Sequence, residues 1–319
     1  MNASVVICAH TMDRWTELQE AVRSVRDQSH PPHELLVVVD HNPALLQRAR
    51  SEGLDARIVD NDETRGLGGA RNAGLKRATG GIVAYLDDDA VAPRDWLRLL
   101  LDPYRDADVV AVGGAIEPLW DGGRPDWFPP EFDWTIGCTY RGLPTGPQAV
   151  RNLFGCNMSF RREVLDAAGR FRLGYGCDET EICIRIAKLW PDKRLLYCPD
   201  ARVLHRVPAD RKDVRRFLSR CYFEGGSKAV VARLQGSQRG LSSEREYTRR
   251  VLPAGVREGL ADFVTGRDRS GLRRAAAIVA GLLATTVGYI AGSVTVTKAA
   301  RRRGWTGDLL GVRAAAKTH

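Results

Sequence analysis

The sequence lacks paired cysteines, a signal peptide, internal repeats and low-complexity tracts. Its seven cysteines are scattered and form no Cys-x-x-Cys pair, so neither a zinc site of that kind nor a disulfide framework is expected. The N-terminus enters directly into an apolar run without the features of a signal peptide, which makes a reducing cytoplasm the expected compartment. These absences exclude disulfide-stabilised secreted scaffolds and repeat architectures.

Charge and hydrophobicity are ordinary in amount but uneven in distribution. Of the 319 residues, 44% are hydrophobic and 27% are charged, which excludes a disordered chain and a polytopic membrane protein. The formal net charge of +9 indicates an anionic partner. Arginines crowd the last third of the chain, where Arg301, Arg302 and Arg303 follow an apolar segment. This placement favours anionic lipid head groups over nucleic acid, for which no binding motif is present.

Apolar runs and helical periodicities alternate along the first part of the chain. Short apolar runs typical of buried strands lie at residues 4–9, 34–39, 57–59, 82–86 and 109–116. Helical spacing lies between them, at residues 14–28, 43–52, 70–78 and 95–101. The alternation predicts a doubly wound α/β domain with right-handed crossovers.

The pattern changes after residue 116. Residues 120–147 are rich in Trp, Pro and Gly without any period, and such a long loop is expected to lie over a functional site. Its tryptophans either stack on a sugar or form local cores. Further elements are expected at residues 157–160, 162–168, 178–188, 195–197, 202–204 and 211–234, the last a basic helix interrupted by two glycines. We therefore expect an α/β domain over residues 1–230 and a basic helical region over residues 231–319.

Three adjacent carboxylates follow a predicted buried strand. In the stretch 66–90, a glycine-rich turn and a helix lead to the apolar strand at 82–86, and Asp87, Asp88 and Asp89 come next. Open α/β sheets bind ligands at the carboxyl ends of their strands. Since adjacent carboxylates repel one another, Mg²⁺ or Mn²⁺ shared with a diphosphate would compensate them. The alternative is a solvated acidic turn that caps the next helix.

One uncharged segment lies near the C-terminus, at residues 275–297, with basic residues on both sides. As a helix it is about 34 Å long, enough to cross a hydrocarbon core of about 30 Å. Its threonines and glycines weaken its hydropathy. This helix could span a membrane, lie in the membrane interface or pack as a buried helix of a soluble protein. The basic residues on both sides favour membrane contact.

Over residues 3–226 the chain resembles family 2 glycosyltransferases of the GT-A fold. The matching motifs come in the expected order: VVICA at 5–9, VVVD at 37–40, GGARNAG at 68–74, LDDD at 86–89, NMSFRR at 157–162 and GCDETE at 176–181. Residues 8–15 and 40–43 are similar to those of glucosyl-dolichyl phosphate glucuronosyltransferases. The resemblance implies an inverting transfer of a sugar from a nucleotide-diphosphate donor, of which a UDP-sugar is the first candidate.

The resemblance also implies roles for individual residues in donor binding. Asp40 would accept a hydrogen bond from the nucleotide base, and Arg71 would lie near the nucleotide. Asp87 and Asp88 would contact the nucleotide-sugar. Asp89 would be the most direct ligand of Mn²⁺ or Mg²⁺, together with Asp87. The metal would stabilise the negative charge that develops on the diphosphate leaving group.

A catalytic base is expected near the start of the helix predicted at 178–188. The family commonly has Glu-Asp where this chain has Asp178-Glu179, so either residue can be the base, and the alignment favours Glu179. Both can instead simply stabilise a helix N-terminus. His205 follows a predicted strand and either completes the metal site or is an ordinary edge histidine. At residues 40–42 one carboxylate usual in the family is missing.

The expected acceptor is a hydroxyl group on a lipid-linked or cell-envelope saccharide, at the cytoplasmic face of the cell membrane. An acidic residue at position 179 favours a hydroxyl acceptor, because an ionised polyprenyl phosphate would need no base. Transfer to such a phosphate or to a small molecule remains an alternative. A nucleotidyltransferase would need a glycine-rich basic loop after the first strand, which the sequence lacks. A non-catalytic, membrane-recruited module that binds nucleotide-sugars is the last alternative.

Overall fold

The computed structural model describes residues 1–172, 178–235 and 245–302, and their side chains except those of 233–235 and 295–302. Two compact units make up the chain. One consists of Met1–Arg124 with Ile136–Ala209, and the other of Pro125–Thr135 with Asp210–His319. The domain boundary expected after residue 230 is a statement about which segments fold independently. The division into two compact units does not test it, so it stays a prediction.

The first unit contains a mixed sheet of nine strands within the described residues. The strands are β1 (Ala3–Ala9), β2 (Glu34–Val39), β3 (Arg57–Asp60), β4 (Ile82–Asp87), β5 (Ala90–Val91), β6 (Val109–Trp120), β7 (Gln148–Ala149), β8 (Asn157–Arg161) and β9 (Arg194–Val207). Their order is β3-β2-β1-β4-β8-β6-β9-β5, with β7 beside β9. Strands β1 to β4 are parallel to their neighbours among themselves, and β8 is antiparallel to β4 and β6.

Six α-helices accompany the sheet in the part of this unit that the structure describes. They are α1 (Trp15–Arg26), α2 (Pro43–Ser51), α3 (Leu67–Arg77), α4 (Trp96–Leu101), α5 (Arg162–Ala168) and α6 (Asp178–Leu189). The apolar runs of β1, β2 and β4 are buried almost throughout, as expected of strands covered on both faces. The α/β architecture predicted from the sequence is therefore confirmed. Because β1, β2 and β4 are parallel, their carboxyl ends lie at one edge of the sheet.

Strand β9 differs from the expectation of two short strands at 195–197 and 202–204. It is one strand of 14 residues that pairs in parallel with β6. The register shifts between Gly114 and Ile116 of β6, which lie opposite Cys198 and Val203. This irregularity accommodates the extra residues of β9, so the strand continues through the segment where the sequence pattern breaks.

The second unit is helical. Its helices are α7 (Val214–Gln235), α8 (Leu252–Val264) and α9 (Gly271–Arg302), where α9 includes the uncharged segment expected at 275–297. Trp127 lies in edge contact with Phe217, and Trp134 donates from Nε1 to the Tyr247 hydroxyl at 3.1 Å. These two tryptophans of the long loop form a local core within this unit.

Helix α7 continues through Gly225-Gly226, where the sequence suggested an interruption. The physical reason is close helix packing. A Cβ atom on Gly225 would lie 2.1 Å from the Thr285 carbonyl oxygen, whereas the nearest atom to a Cβ on Gly226, the Gly288 oxygen, is 4.0 Å away. A glycine at position 225 therefore allows the backbones of α7 and α9 to touch.

Exchanging the two neighbouring glycines for alanine should give changes of opposite sign. We expect Gly225→Ala to destabilise the protein by about 1–3 kcal/mol, because the methyl group collides with main-chain atoms that cannot rotate away. Gly226→Ala is the matched control and should stabilise by about 0.5–1 kcal/mol through higher helix propensity. Urea unfolding measures both changes, and equal effects of the two substitutions would contradict this account of the packing.

Candidate active site

The acidic cluster lies where the sequence places it, at the carboxyl end of β4. Asp87 is the last residue of the strand and pairs with Cys8 of β1. The carboxylates of Asp88 and Asp89 are buried. Among the described residues, Asp88 Oδ2 and Asp89 Oδ1 have no aligned hydrogen-bond donor. Buried oxygens of this kind carry a desolvation cost, so the cluster needs positive charge close by.

Arg14 supplies part of that charge, and the sequence reasoning did not assign it to the site. Its Nη1 atom lies 3.0 Å from Asp88 Oδ1 and 2.8 Å from Asp89 Oδ2. Burial, followed by the neighbouring Asp89 charge, nevertheless raises the pKa of Asp88 to about 7. Arg14 ends the short helix Met12–Arg14 that follows β1. The carboxyl end of β1 lies beside that of β4. The position of Arg14 shortly after β1 was therefore the signal that could have placed it near the aspartates.

His205 reaches the same cluster through strand pairing. The two-residue strand β5 follows the aspartates and runs antiparallel to β9, with Ala90 opposite His205. His205 Nε2 lies 3.2 Å from Asp89 Oδ1, in an ion-pair contact that is not aligned as a hydrogen bond. Burial by itself would raise the pKa of Asp89, but His205 and Arg14 together outweigh burial and the pKa lies below its usual value. The structure therefore brings His205 to the acidic cluster.

The donor atoms at this edge suit a divalent cation. Oxygen or nitrogen ligand atoms of Asp87 and His205, with the Cys156 sulfur, all lie within 4.8 Å of one another. Burial raises the pKa of the Cys156 thiol well above its usual value, and soft sulfur ligands do not suit Mg²⁺ or Mn²⁺, which prefer oxygen. Carboxylate oxygens with one imidazole match the preferences of Mn²⁺, and carboxylates alone those of Mg²⁺. The buried, unaligned oxygens of Asp88 and Asp89 fit the same requirement.

Arg71 joins the acidic cluster to the start of α6. It is only 2% exposed, so it is not a solvated arginine on a helix surface. Its Nη2 atom donates to the Gly155 carbonyl at 3.1 Å and lies 4.0 Å from Asp87 Oδ1. Its Nη1 atom lies 3.8 Å from Glu179 Oε2. One buried guanidinium thus faces carboxylates from β4 and from α6.

Glu179 and Asp178 are the first two residues of α6, and their environments differ. Glu179 is partly exposed and faces Arg71, so it shares a cation with Asp87. Asp178 is half-buried, and burial raises the pKa of its carboxyl group. Residues 176 and 177 of the same motif lie outside the described residues. The geometry brings Glu179 to the acidic edge of the sheet and leaves its chemical role as a prediction.

Asp40 follows β2 at the same edge and holds the start of α3. Its Oδ1 atom accepts from Asn61 Nδ2 at 2.6 Å and contacts His41 Nδ1 at 2.9 Å. Its Oδ2 atom accepts from the Gly66 amide at 2.9 Å. Although burial alone would raise the pKa of Asp40, these hydrogen bonds outweigh it and the pKa is lowered. Asn61 had no indication in the sequence beyond its position after β3.

A turn at residues 168–172 attaches the helices of Arg71 and Glu179 to each other. Asn72 of α3 exchanges two hydrogen bonds with the Phe171 backbone, at 2.8 and 2.9 Å. Arg185 of α6 donates from Nη2 to the Arg170 carbonyl at 2.8 Å and from Nε to Glu181 Oε1 at 2.9 Å. Glu181 and Arg185 are 0% and 1% exposed. The relative position of the two site residues therefore depends on a buried ion pair.

Several known proteins are similar in sequence to this chain. Residues 4–169 match the family described as Glycosyl transferase family 2. A glucosyl-dolichyl phosphate glucuronosyltransferase from Haloferax volcanii is 33% identical over 307 residues, which cover 92% of this chain and 97% of that protein. The succinoglycan biosynthesis protein ExoM from Rhizobium meliloti is 28% identical over 235 residues, which cover 69% of this chain and 73% of that protein.

A solved structure resembles the fold. A mannosyltransferase from Pyrobaculum calidifontis, in complex with GDP-mannose and Mn²⁺, matches with a TM-score of 0.59 at 19% sequence identity. The match covers 89% of this chain and 86% of that protein. At this identity the likeness concerns the fold alone, and it confirms the predicted GT-A architecture.

Proposed function

The chain belongs to glycosyl transferase family 2 and is a glycosyltransferase, and from this premise we propose that it is a metal-dependent, inverting enzyme with a nucleotide-diphosphate sugar donor. One observation carries the proposal: a single sheet edge brings together the acidic cluster, His205, Arg71 and Glu179. That combination offers ligands for a cation, a fixed positive charge and the partly exposed carboxylate of Glu179. These are the groups that displacement of a diphosphate by a hydroxyl requires.

Donor binding is assigned to the residues at the ends of β2 and β4. Asp89, Asp87 and His205 would hold Mn²⁺ or Mg²⁺, which when bound supplies charge stabilisation to the diphosphate leaving group. Asp88, the third carboxylate of this cluster, would contact the nucleotide-sugar. Asp40 retains acceptor capacity on a carboxylate whose pKa is lowered, so it can accept a hydrogen bond from a base edge such as that of UDP.

Glu179 is proposed as the base that takes the proton of the acceptor hydroxyl. Its distance of 3.8 Å from the Arg71 guanidinium favours the ionised carboxylate. Asp178 is the alternative: burial raises the pKa of its carboxyl group, which makes it the stronger base, but it has no cation as close as Arg71 is to Glu179 among the ion pairs of the described residues. A base acting on the sugar face opposite the leaving diphosphate gives inversion at the anomeric carbon.

The acceptor that we propose is a hydroxyl group of a lipid-linked or cell-envelope saccharide. The name of the Haloferax volcanii relative describes transfer to a dolichyl phosphate-linked sugar, which supports this class. Polyprenyl phosphate or a small molecule remains the second candidate. By length and composition, Gly271–Val294 of α9 can cross a membrane. We place the protein at the cytoplasmic face of the cell membrane, with residues 1–230 as transferase domain and residues 231–319 as the membrane-contact region.

Thermal stabilisation by nucleotides tests the donor site. We expect one of UDP, GDP, TDP and CDP to raise the melting temperature in the presence of Mn²⁺ and not in its absence. A ligand at 100 times its dissociation constant stabilises by about 2.7 kcal/mol, which such a measurement resolves. Asp89→Ala should abolish the Mn²⁺-dependent shift, because it removes the carboxylate that we propose as a metal ligand. This carboxylate contacts both Arg14 and His205.

The matched control is Asp102→Ala, which removes an exposed carboxylate that pairs only at the surface. It should keep the full Mn²⁺-dependent shift. If none of the four nucleotides raises the melting temperature, the assignment of the metal and diphosphate site is refuted. An equal shift in Asp89→Ala and in the unchanged protein would refute it as well. Repeating the measurement with Mg²⁺ identifies the preferred cation.

A further inference from the structure

Helix α9 has an exposed face made of apolar side chains. Leu272, Val279, Leu283, Val287, Ile290 and Val294 recur at helical spacing, and all of them are between 45% and 61% exposed. We call these six residues the α9 stripe. An apolar face of about six turns is larger than the scattered surface residues normal for a soluble monomer. We therefore expect another molecule to cover this face, and we call that molecule its occupant.

The opposite face of α9 is packed tightly against α7. A Cβ atom on Gly288 would lie 1.9 Å from the Tyr222 carbonyl oxygen, and one on Gly292 would lie 2.8 Å from the Gly226 Cα atom. Gly225 approaches Thr285 in the same way. The two helices are thus in backbone contact over residues 285–292 of α9. They must enter or avoid a membrane together.

Helix α7 carries charged side chains on the same part of the helix that contacts α9. These charges oppose a membrane-spanning orientation of α9. Arg220 is exposed, and Glu224 pairs with Lys228 at 3.7 Å. If α9 crossed the bilayer, these three charged groups would be carried into the hydrocarbon beside it. Charged side chains at that depth are costly and are normally found facing a polar cavity or a partner helix. An orientation that keeps α7 outside the hydrocarbon avoids this cost.

Basic residues near the stripe identify the kind of membrane. Arg215 and Arg216 are exposed at the start of α7, and Arg267 and Arg269 are exposed just before α9. Phe263 is exposed close to this second pair, at the end of α8. An exposed apolar helix face, with exposed arginines just before the helix and at the start of the helix packed on it, complements a surface of anionic lipid head groups above acyl chains.

We propose that α9 lies in the plane of an anionic bilayer, with the α9 stripe immersed at the level of the upper acyl chains and α7 above it. This inference rests on the membrane attachment proposed above and deepens it, because it replaces a spanning anchor with a one-sided one. An interfacial helix enters the bilayer by about 5–10 Å, which suits a single apolar face. The occupant of the stripe is lipid, not a second copy of the chain.

Vesicle flotation tests the occupant. We expect the full chain to float with vesicles of phosphatidylglycerol and phosphatidylcholine and to bind pure phosphatidylcholine less well. The double substitution Leu283→Asp with Val287→Asp should weaken flotation at least about ten-fold, because it places two charges on the immersed face. The control, Thr16→Asp with Ser51→Asp, makes the same charge change at exposed positions of α1 and α2 and should float as the unchanged protein does.

Depth-resolved quenching tests the orientation. A genetically encoded fluorescent amino acid is placed in turn at Val279, Leu283, Val287 and Ile290, and lipids brominated at a shallow or a deep acyl carbon serve as quenchers. We expect stronger quenching by the shallow bromine at all four positions. Deep quenching that peaks at the middle positions and falls toward both ends would instead show a spanning helix and overturn the proposal.

The outcomes separate this proposal from the proposed function. Flotation that survives Leu283→Asp with Val287→Asp would refute the stripe as the lipid contact. A stripe-dependent dimer in solution that does not float would show a second copy as the occupant and refute it as well. In each case the Mn²⁺-dependent stabilisation by nucleotide is measured on the same variant. Its persistence in the variant shows that the variant is folded and that only the membrane inference has failed. Its absence in the unchanged protein as well shows failure of the donor site.

Discussion

Replacing Glu179 with glutamine should lower kcat about 10²- to 10⁴-fold, the range that a positioned general base contributes. The amide keeps the shape of the side chain but cannot take the proton of the acceptor hydroxyl. Donor binding should change little, because Arg71 remains buried and remains bonded to Gly155. Sugar transfer and nucleotide-induced thermal stabilisation, measured on the same preparation, separate the two effects.

The neighbouring substitution Asp178→Asn is the matched control for this prediction. It removes a carboxylate from the same helix start, and with it the same favourable interaction with the helix dipole. If Glu179 is the base, Asp178→Asn should retain most of the activity. A greater loss of kcat in Asp178→Asn than in Glu179→Gln would transfer the role of base to Asp178. Equal and small losses would contradict a carboxylate base at this position.

Replacing Arg185 with methionine should destabilise the protein by about 3–5 kcal/mol, as expected when one partner of a buried ion pair is removed. Glu181 would then be fully buried with only the more distant Arg172, at 3.9 Å, as a described cation. The Ala168 and Arg170 carbonyls would also lose their guanidinium donors. Urea or thermal unfolding measures the loss.

Two further variants show whether the loss comes from an uncompensated buried charge. Arg98→Met removes an arginine whose pairs with Asp95 and Asp102 are at the surface, and it should cost less than about 1 kcal/mol. The double substitution Glu181→Leu with Arg185→Met removes both charges and should recover a large part of the stability lost in Arg185→Met alone. If the double variant were less stable than Arg185→Met, the ion pair would not explain the effect.

The helices and strands around the site could be predicted because their patterns are local. The strand preceding Asp87 is a continuous apolar run, and the helix containing Arg71 begins after Gly66 and ends at Arg77, shortly before Gly80-Gly81. The two places where the prediction failed, the break in β9 and the interruption of α7, involve residues whose conformation depends on a partner. Strand β6 absorbs the extra residues of β9 in an irregular register, and α9 packs on the glycines of α7.

The candidate site was predictable in part for the same reason. Asp40, the acidic cluster and Glu179 follow elements that the pattern predicts, so their position at one sheet edge follows from topology. The nearness of His205 does not, because it depends on a two-residue strand that pairs antiparallel with β9. Nor does the contact of Arg14 with Asp88 and Asp89, which joins side chains that are far apart in the chain.

The sequence by itself determined the α/β elements, the acidic cluster at a strand end, the family resemblance and the uncharged C-terminal helix. Each of these is written in neighbouring residues, through periodicity, apolar run length or a short motif. Only the tertiary structure decided which charges compensate the cluster, that Arg71 is buried between two carboxylates, and which face of α9 stays exposed. The physical reason is that burial and ion pairing depend on packing between distant segments, whose register no local pattern specifies.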